Sequence, residues 1–279
     1  MHSRGIATAV AIARALAGAS PVVIVFANAA YAALLANWIG FARGAGASNI
    51  LVIALDAEAQ GMAASNGVAS VLLPGTASRA ELWILRALLF SEFARAGMDF
   101  IHSDVDAVWA RSPVEEVRSL DVDIAFTSGT VWPREVARRW GFVVCCGFFA
   151  VRASPATASF FADVAKRAAA CGDDQVAVNE ALVAAGATWM PRARGEQRVY
   201  QGRPFQIFAD TVFGDADGLR LALLPHRRFP RLPDPAADVV VAHPLGSPAK
   251  GVSGAECAAR ALATLGLWQP DGGVGQPVA

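Results

Sequence analysis

Two uninterrupted apolar runs, Val22-Val-Ile-Val-Phe26 and Ile50-Leu-Val-Ile-Ala-Leu55, constrain the fold more than any other feature of this chain. Each has the length of a strand, is rich in β-branched residues and shows no alternation with polar positions. Such strands are buried on both faces, as in a parallel sheet covered by helices. Between them, residues 30–42 carry a helical pattern that stops at Gly44-Ala-Gly46. The order is β-α-β, with a right-handed crossover, so the expected fold class is α/β on a mostly parallel sheet. The runs lead into Asn28 and Asp56 at their carboxyl ends, where open α/β sheets gather ligands.

The same reading extends along the chain. Residues 68–73 predict a third strand. Ser78 and Glu81 have capping-box spacing and open a helix whose apolar face is Leu82, Leu85, Leu89 and Phe93, ending at Gly97. Strands are expected at 100–103, 121–128 and 142–152, with helices starting at Ser112-Pro113, Ser154-Pro155 and Asp173-Asp174-Gln175. Beyond Gly186 the pattern weakens to short strands over 198–208, proline-rich loops over 225–235 and one more buried strand at 239–242. Ser253 and Glu256 repeat the capping-box spacing before a last helix. Near the start, Ile6, Val10, Ala13 and Leu16 recur at helical spacing, and Arg14 breaks the apolar patch, which favours a helix in residues 1–20 over a signal peptide. Residues 1–268 read as one domain, and the Gly- and Pro-rich residues 269–279 as a disordered tail.

The chemistry concentrates in Phe100-Ile-His-Ser-Asp104-Val105-Asp106-Ala-Val-Trp109. Two carboxylates at i and i+2 after a strand can converge on one hard cation, Mn²⁺ or Mg²⁺, that keeps positions open for phosphate oxygens. A turn or capping pair is the structural alternative. A second strand-end segment, His243-x-x-Gly246-x-x-x-Lys250, offers an imidazole ligand, a close backbone approach and a cation for phosphate; His243 reads equally as a buried core histidine. In Gly172-Asp173-Asp174-Gln175, one Asp is explained as a helix N-cap, which leaves Asp174 and Gln175 to face a sugar. Arg86, among Trp83, Leu85 and Leu88, needs a partner: a donor phosphate, a sugar hydroxyl or a carboxylate of the protein.

Composition enters by exclusion. Lys plus Arg equals Asp plus Glu at 24 each, so the chain lacks the cation surplus of a non-specific nucleic-acid binder. The four cysteines form no CxxC pair and no Cys/His cluster, which argues against structural zinc, and Cys145-Cys146 reads as a pair of buried small apolar residues. No apolar stretch reaches the ~20 residues of a membrane span.

Residues 100–113, from the strand through Asp-Val-Asp-Ala-Val-Trp to Ser112-Pro113, resemble the metal-binding D-x-D segment of the nucleotide-diphospho-sugar transferase family, glycosyltransferase family 77. Val25-Phe-Ala-Asn28, Asn37-Trp38, Ala54-Leu-Asp56, Cys146-Gly-Phe-Phe-Ala-Val-Arg152 and Asp174-Gln175 match other blocks of that family in order, over about residues 20–250. The resemblance implies a Rossmann-like GT-A fold, a mixed and mostly parallel sheet with helices on both faces, with a nucleotide-binding half over 21–130 and an acceptor half over 131–268. It implies a retaining transferase using a nucleotide sugar, UDP-linked, with a glycan or glycoprotein acceptor and a Golgi lumenal location. By the same resemblance Asp104, Asp106 and His243 hold Mn²⁺ or Mg²⁺. Asn28, Asp56, Arg86, Val105, Gly246 and Lys250 join the two Asp residues in binding the nucleotide sugar, and Asp174 and Gln175 act at the sugar. The sequence departs from the family where Cys145-Cys146 stands in place of Asn-Ser or Asn-Thr, and where Gly246 and Lys250 are one residue further apart.

Two alternatives remain at this level. Asp104-Val-Asp-Ala-Val108 also fits a haloacid-dehalogenase-type phosphatase, with Asp104 as the nucleophile, although that signature normally lies on a first strand. A catalytically silent nucleotide-sugar-binding protein is the other.

Overall fold

The structure is a computed structural model that describes residues 2–18, 20–74, 78–191, 194–232, 237–245 and 251–269. In chain order, helix α1 (His2–Leu16) precedes strand β1 (Val22–Ala27), a 3₁₀ turn (Ala29–Tyr31), α2 (Ala32–Gly44), β2 (Ile50–Ala54), α3 (Ala57–Ser65) and β3 (Ala69–Leu72). Helix α4 (Arg79–Arg95) leads to β4 (Phe100–Ser103), β5 (Val108–Trp109), α5 (Val114–Arg118), β6 (Ile124–Ser128), α6 (Arg134–Trp140) and β7 (Val144–Val151). Then come α7 (Pro155–Cys171), α8 (Asp174–Ala184), β8 (Thr188–Met190), β9 (Glu196–Tyr200), β10 (Arg203–Ile207), β11 (Val212–Ala216), β12 (Leu219–Leu223), β13 (Val241–Ala242) and α9 (Gly254–Thr264). This is an α/β fold on a mixed sheet, the class expected from the sequence. No helix among the described residues is long and apolar enough to cross a membrane. The tail expected over 269–279 lies, from residue 270 on, outside the described residues.

The chain forms two units interleaved in sequence. The first takes residues 1–75, 102–115 and 228–279; the second takes 76–101 and 116–227. In the first unit β3, β2 and β1 run parallel in that order, with Val25 opposite Val52 and Val52 opposite Ser70. Every residue of β1 and β2 is buried, as their unbroken apolar runs require. Helix α1 buries Ile6, Ala9 and Ala13, a narrower stripe than expected, and Gly5 lets it approach closely: a Cβ there would collide with the Leu73 side chain.

In the second unit the strand order is β7-β6-β12-β11-β8. Strand β12 lies parallel to β6, while the β6–β7, β11–β12 and β11–β8 pairs are antiparallel. The capping box expected at Ser78 is formed, and Ser154, expected as a helix start, forms another with Thr157. Phe90 on α4 stacks on Phe100 at 5.4 Å, Phe149 on Phe161 at 5.7 Å, and Phe90 meets Phe149 edge-on at 5.2 Å. This aromatic block joins α4, β4, β7 and α7 into one core.

Several elements differ from expectation. Helices α3 and α6 and the β11–β12 hairpin stand where the sequence pattern predicts no element. The run at 239–242 gives only the two-residue β13, which pairs with β5 outside the large sheet. Its neighbouring backbone groups are engaged elsewhere: Val240 N–H donates to Arg228 O at 2.8 Å, and Val240 O accepts from Ala110 and Arg111.

Candidate active site

The centre of the first unit is the turn after β4. Ala107 N–H donates to Asp104 O at 3.0 Å, which closes a turn over Val105 and Asp106. Val105 is buried, so the turn is pinned through its middle residue while the flanking carboxylates stay partly exposed. Ser103 locks the turn from below. Its hydroxyl accepts from Trp38 Nε1 at 3.1 Å and Trp109 Nε1 at 3.3 Å, and donates to Ala107 O at 3.0 Å. One hydroxyl thus uses its donor and both acceptor sites among fully buried groups.

Strand β5 then fixes the third member of the cluster. It pairs antiparallel with β13, Val108 opposite Ala242 and Trp109 opposite Val241. This register brings residue 243 to the same end of the clip as residue 106. His243 is buried, its backbone N–H donates to Pro230 O at 3.1 Å, and its Nε2 lies 3.3 Å from Asp106 Oδ1. Ligand atoms of Asp104, Asp106 and His243 all lie within 4.8 Å of one another. Two carboxylate oxygens and one imidazole nitrogen at that spacing fit a divalent cation such as Mn²⁺ or Mg²⁺.

His102 is a site residue that the sequence pattern does not single out. It is fully buried, with Nδ1 3.2 Å from Ile24 O and Nε2 3.2 Å from Asp104 Oδ1. The ring buttresses one carboxylate of the pair from the floor of the sheet. Its only sequence signal is its place two residues before Asp104.

Asn28 and Asp56 stand at the carboxyl ends of β1 and β2, as expected. Asp56 caps α3 by accepting from Ala59 N–H at 2.9 Å, and accepts from Ala29 N–H at 2.7 Å. It therefore fixes the backbone next to Asn28. Asn28 Oδ1 is buried and has no hydrogen-bond partner among the described residues. Gly246 and Lys250 lie outside the described residues.

The remaining candidates belong to the second unit. Arg86 is 4% exposed; its Nη2 donates to Cys146 O at 3.0 Å and its guanidinium lies 4.9 Å from the Trp83 ring centre. Its Nε is 3.4 Å from Asp174 Oδ2, an ion pair without the alignment of a hydrogen bond. Of the partners considered from the sequence, a carboxylate of the protein is the one observed. A bulge in β7 makes this possible. Phe126 faces Phe149 and Thr127 faces Cys145, so residues 146–148 bow out of register and Cys146 O turns to Arg86. Cys145 and Cys146 are both buried. Asp173 is the N-cap of α8, accepting from Val176 N–H at 2.8 Å, and Gln175 Nε2 donates to Trp132 O at 2.8 Å.

The sequence matches the nucleotide-diphospho-sugar transferase family over residues 45–231, well over half of the 279 residues. The chain belongs to that family. The transferase assignment sets aside the phosphatase alternative. No curated protein matches the sequence. Among solved structures, the transferase is similar to the galactosyltransferase LgtC in complex with donor and acceptor sugar analogues, at 11% identity over 87% of this chain and 95% of that one, with a TM-score of 0.47. It is also similar to the bifunctional glycosyltransferase WbbM, at 12% identity over 58% of this chain and 37% of WbbM, with a TM-score of 0.44. GlyE from Streptococcus pneumoniae TIGR4 matches at 14% identity over 58% of this chain and 43% of that one, with a TM-score of 0.38.

Proposed function

We propose that the chain transfers a sugar from a UDP-linked donor to a hydroxyl of a glycan or glycoprotein acceptor, with retention, using Mn²⁺ or Mg²⁺. The observation that carries this reading is the convergence of Asp104, Asp106 and His243 within 4.8 Å. When bound, the ion supplies Lewis acidity to the diphosphate leaving group. The chain's own residues bind and orient. Asp104 and Asp106 hold the ion on a turn braced by Ser103 and His102, and His243 completes the set from the β5–β13 clip. Asn28 Oδ1 accepts a hydrogen bond from the nucleoside, which satisfies an acceptor that is otherwise buried without a partner among the described residues. Asp56 holds that segment in place. Asp174, fixed by Arg86, and Gln175 are assigned to the sugar on the family resemblance and on the affinity of a carboxylate for developing positive charge. Val105 anchors the turn, and Gly246 and Lys250 are assigned to the diphosphate on the same resemblance.

The test combines Mn²⁺ titration calorimetry with release of free nucleotide from a panel of UDP- and GDP-sugars. The expected result is one bound ion and Mn²⁺-dependent release from one donor, both lost in the Asp104→Ala, Asp106→Ala double variant. His243→Ala is expected to weaken Mn²⁺ by more than the roughly 10–100-fold typical of an outer-shell change. Absence of Mn²⁺ binding by the intact protein would overturn the metal assignment, and donor binding without release would mark a silent binding protein.

A further inference from the structure

A cavity of about 470 Å³ opens in the second unit, between α6 and the β9–β10 hairpin. Its volume falls within the roughly 300–1,000 Å³ of small-molecule sites. Among the described residues four arginines line it, Arg134, Arg138, Arg194 and Arg203, and no carboxylate does. Glu135 accepts from Arg138 at 2.7 Å and offsets that charge. Arg134, Arg194 and Arg203 form no ion pair among the described residues. In a chain with equal numbers of acidic and basic residues, three such guanidinium groups around one concavity are a local concentration of positive potential.

The rest of the lining suits hydroxyl groups. Gln197 and Gln206 bring side-chain amides, each both donor and acceptor. Gln206 is held in place from two sides. Its backbone N–H donates to Gly141 O at 2.7 Å, and Gly141 has φ +81°, with a Cβ there meeting Gln206 Nε2 at 3.0 Å. A Cβ on Gly195 would come within 2.9 Å of Gln206 Oε1. The cavity is also tied to the residues assigned to the sugar. Gln175 donates to the carbonyl of Trp132, and the Arg134 guanidinium lies 5.9 Å from the ring of that half-exposed tryptophan.

We propose that this cavity binds a saccharide bearing an oxyanion, a phosphate or a carboxylate, as the acceptor of the transferase. Guanidinium groups pair with either oxyanion through two parallel hydrogen bonds, and the glutamines read the hydroxyls. The proposal rests on the transferase reading for its saccharide, but not on the metal triad.

The test is titration calorimetry on the full chain in EDTA, without donor, at low salt. The probes are methyl glucuronide, glucose 6-phosphate, neutral methyl glucoside and inorganic phosphate. Both charged sugars are expected to bind, with the neutral sugar roughly tenfold weaker or worse. The Arg134→Gln, Arg194→Gln, Arg203→Gln variant, with its melting temperature kept, is expected to lose roughly tenfold in affinity for the charged sugars only. The tighter of the two charged sugars names the oxyanion. Equal binding of neutral and charged sugars, an unaffected triple variant, or no binding at all would overturn the proposal. Inorganic phosphate matching glucose 6-phosphate would overturn the saccharide. Because EDTA removes any ion, failure here leaves the triad untouched, and failure of Mn²⁺ binding leaves this site untouched.

Discussion

Asp121 has φ +48°, a left-handed conformation that Asp and Asn tolerate better than other side chains. Its carboxylate accepts from Arg152 at 2.6 Å and Arg220 at 2.8 Å, and these two guanidinium groups hold its pKa below the usual carboxylate value. The folded state therefore favours the ionised form. The resulting stabilisation is present above the unfolded pKa of about 3.9 and is lost as pH falls through the lower folded value. Asp121→Asn keeps the backbone preference and removes the charge. Urea unfolding across a pH series is expected to show the variant slightly less stable at neutral pH, with the gap closing in acid. The gap is small because all three side chains are well exposed. A gap that widens in acid would contradict the assignment.

At the level of elements, the β5–β13 clip decides whether His243 meets the two carboxylates. Arg111 stitches it from outside: Nε donates to Val239 O at 3.1 Å, Nη2 donates to Asp238 O at 2.8 Å, and an ion pair joins the two side chains. Arg111→Ala is expected to lower Mn²⁺ affinity several-fold by calorimetry. The melting temperature should move by only a few degrees, since an exposed pair contributes about 0–1 kcal/mol. Equal Mn²⁺ affinity in the two proteins would show that the clip holds without it. The sequence exposes the apolar character of 239–242 but not its pairing, because backbone partners across more than a hundred residues leave no local pattern. The β11–β12 hairpin, by contrast, has a local signal. Asp217-Gly218 joins Ala216 to Leu219 with both turn residues at positive φ, the two-residue turn that this dipeptide favours.

Across the whole molecule, strands ending at the candidate site residues are the most legible part. β1, β2 and β4 deliver Asn28, Asp56 and Asp104 much as their hydrophobic runs indicate. The bulge that turns Cys146 O to Arg86, and the buried His102 beneath Asp104, are not legible, since both depend on neighbours distant in sequence. Stability of the second unit rests on its aromatic block. Phe149 is 1% exposed and contacts Phe90, Phe100, Phe126 and Phe161. Phe149→Ala is expected to cost about 3–5 kcal/mol in denaturant unfolding. A loss under about 1 kcal/mol would mean that the block repacks around the deletion.

The interleaving of the two units has a consequence for biosynthesis. Asp106 and His243 are 137 residues apart (243 − 106), and the larger part of the second unit is made between them. At about 5–20 residues per second, a ribosome needs roughly 7–27 s to travel from one to the other. During that interval the nascent chain displays the carboxylate pair without its imidazole. The unit that begins first is completed last, so the three side chains of the proposed metal site come together only late in the making of each new chain.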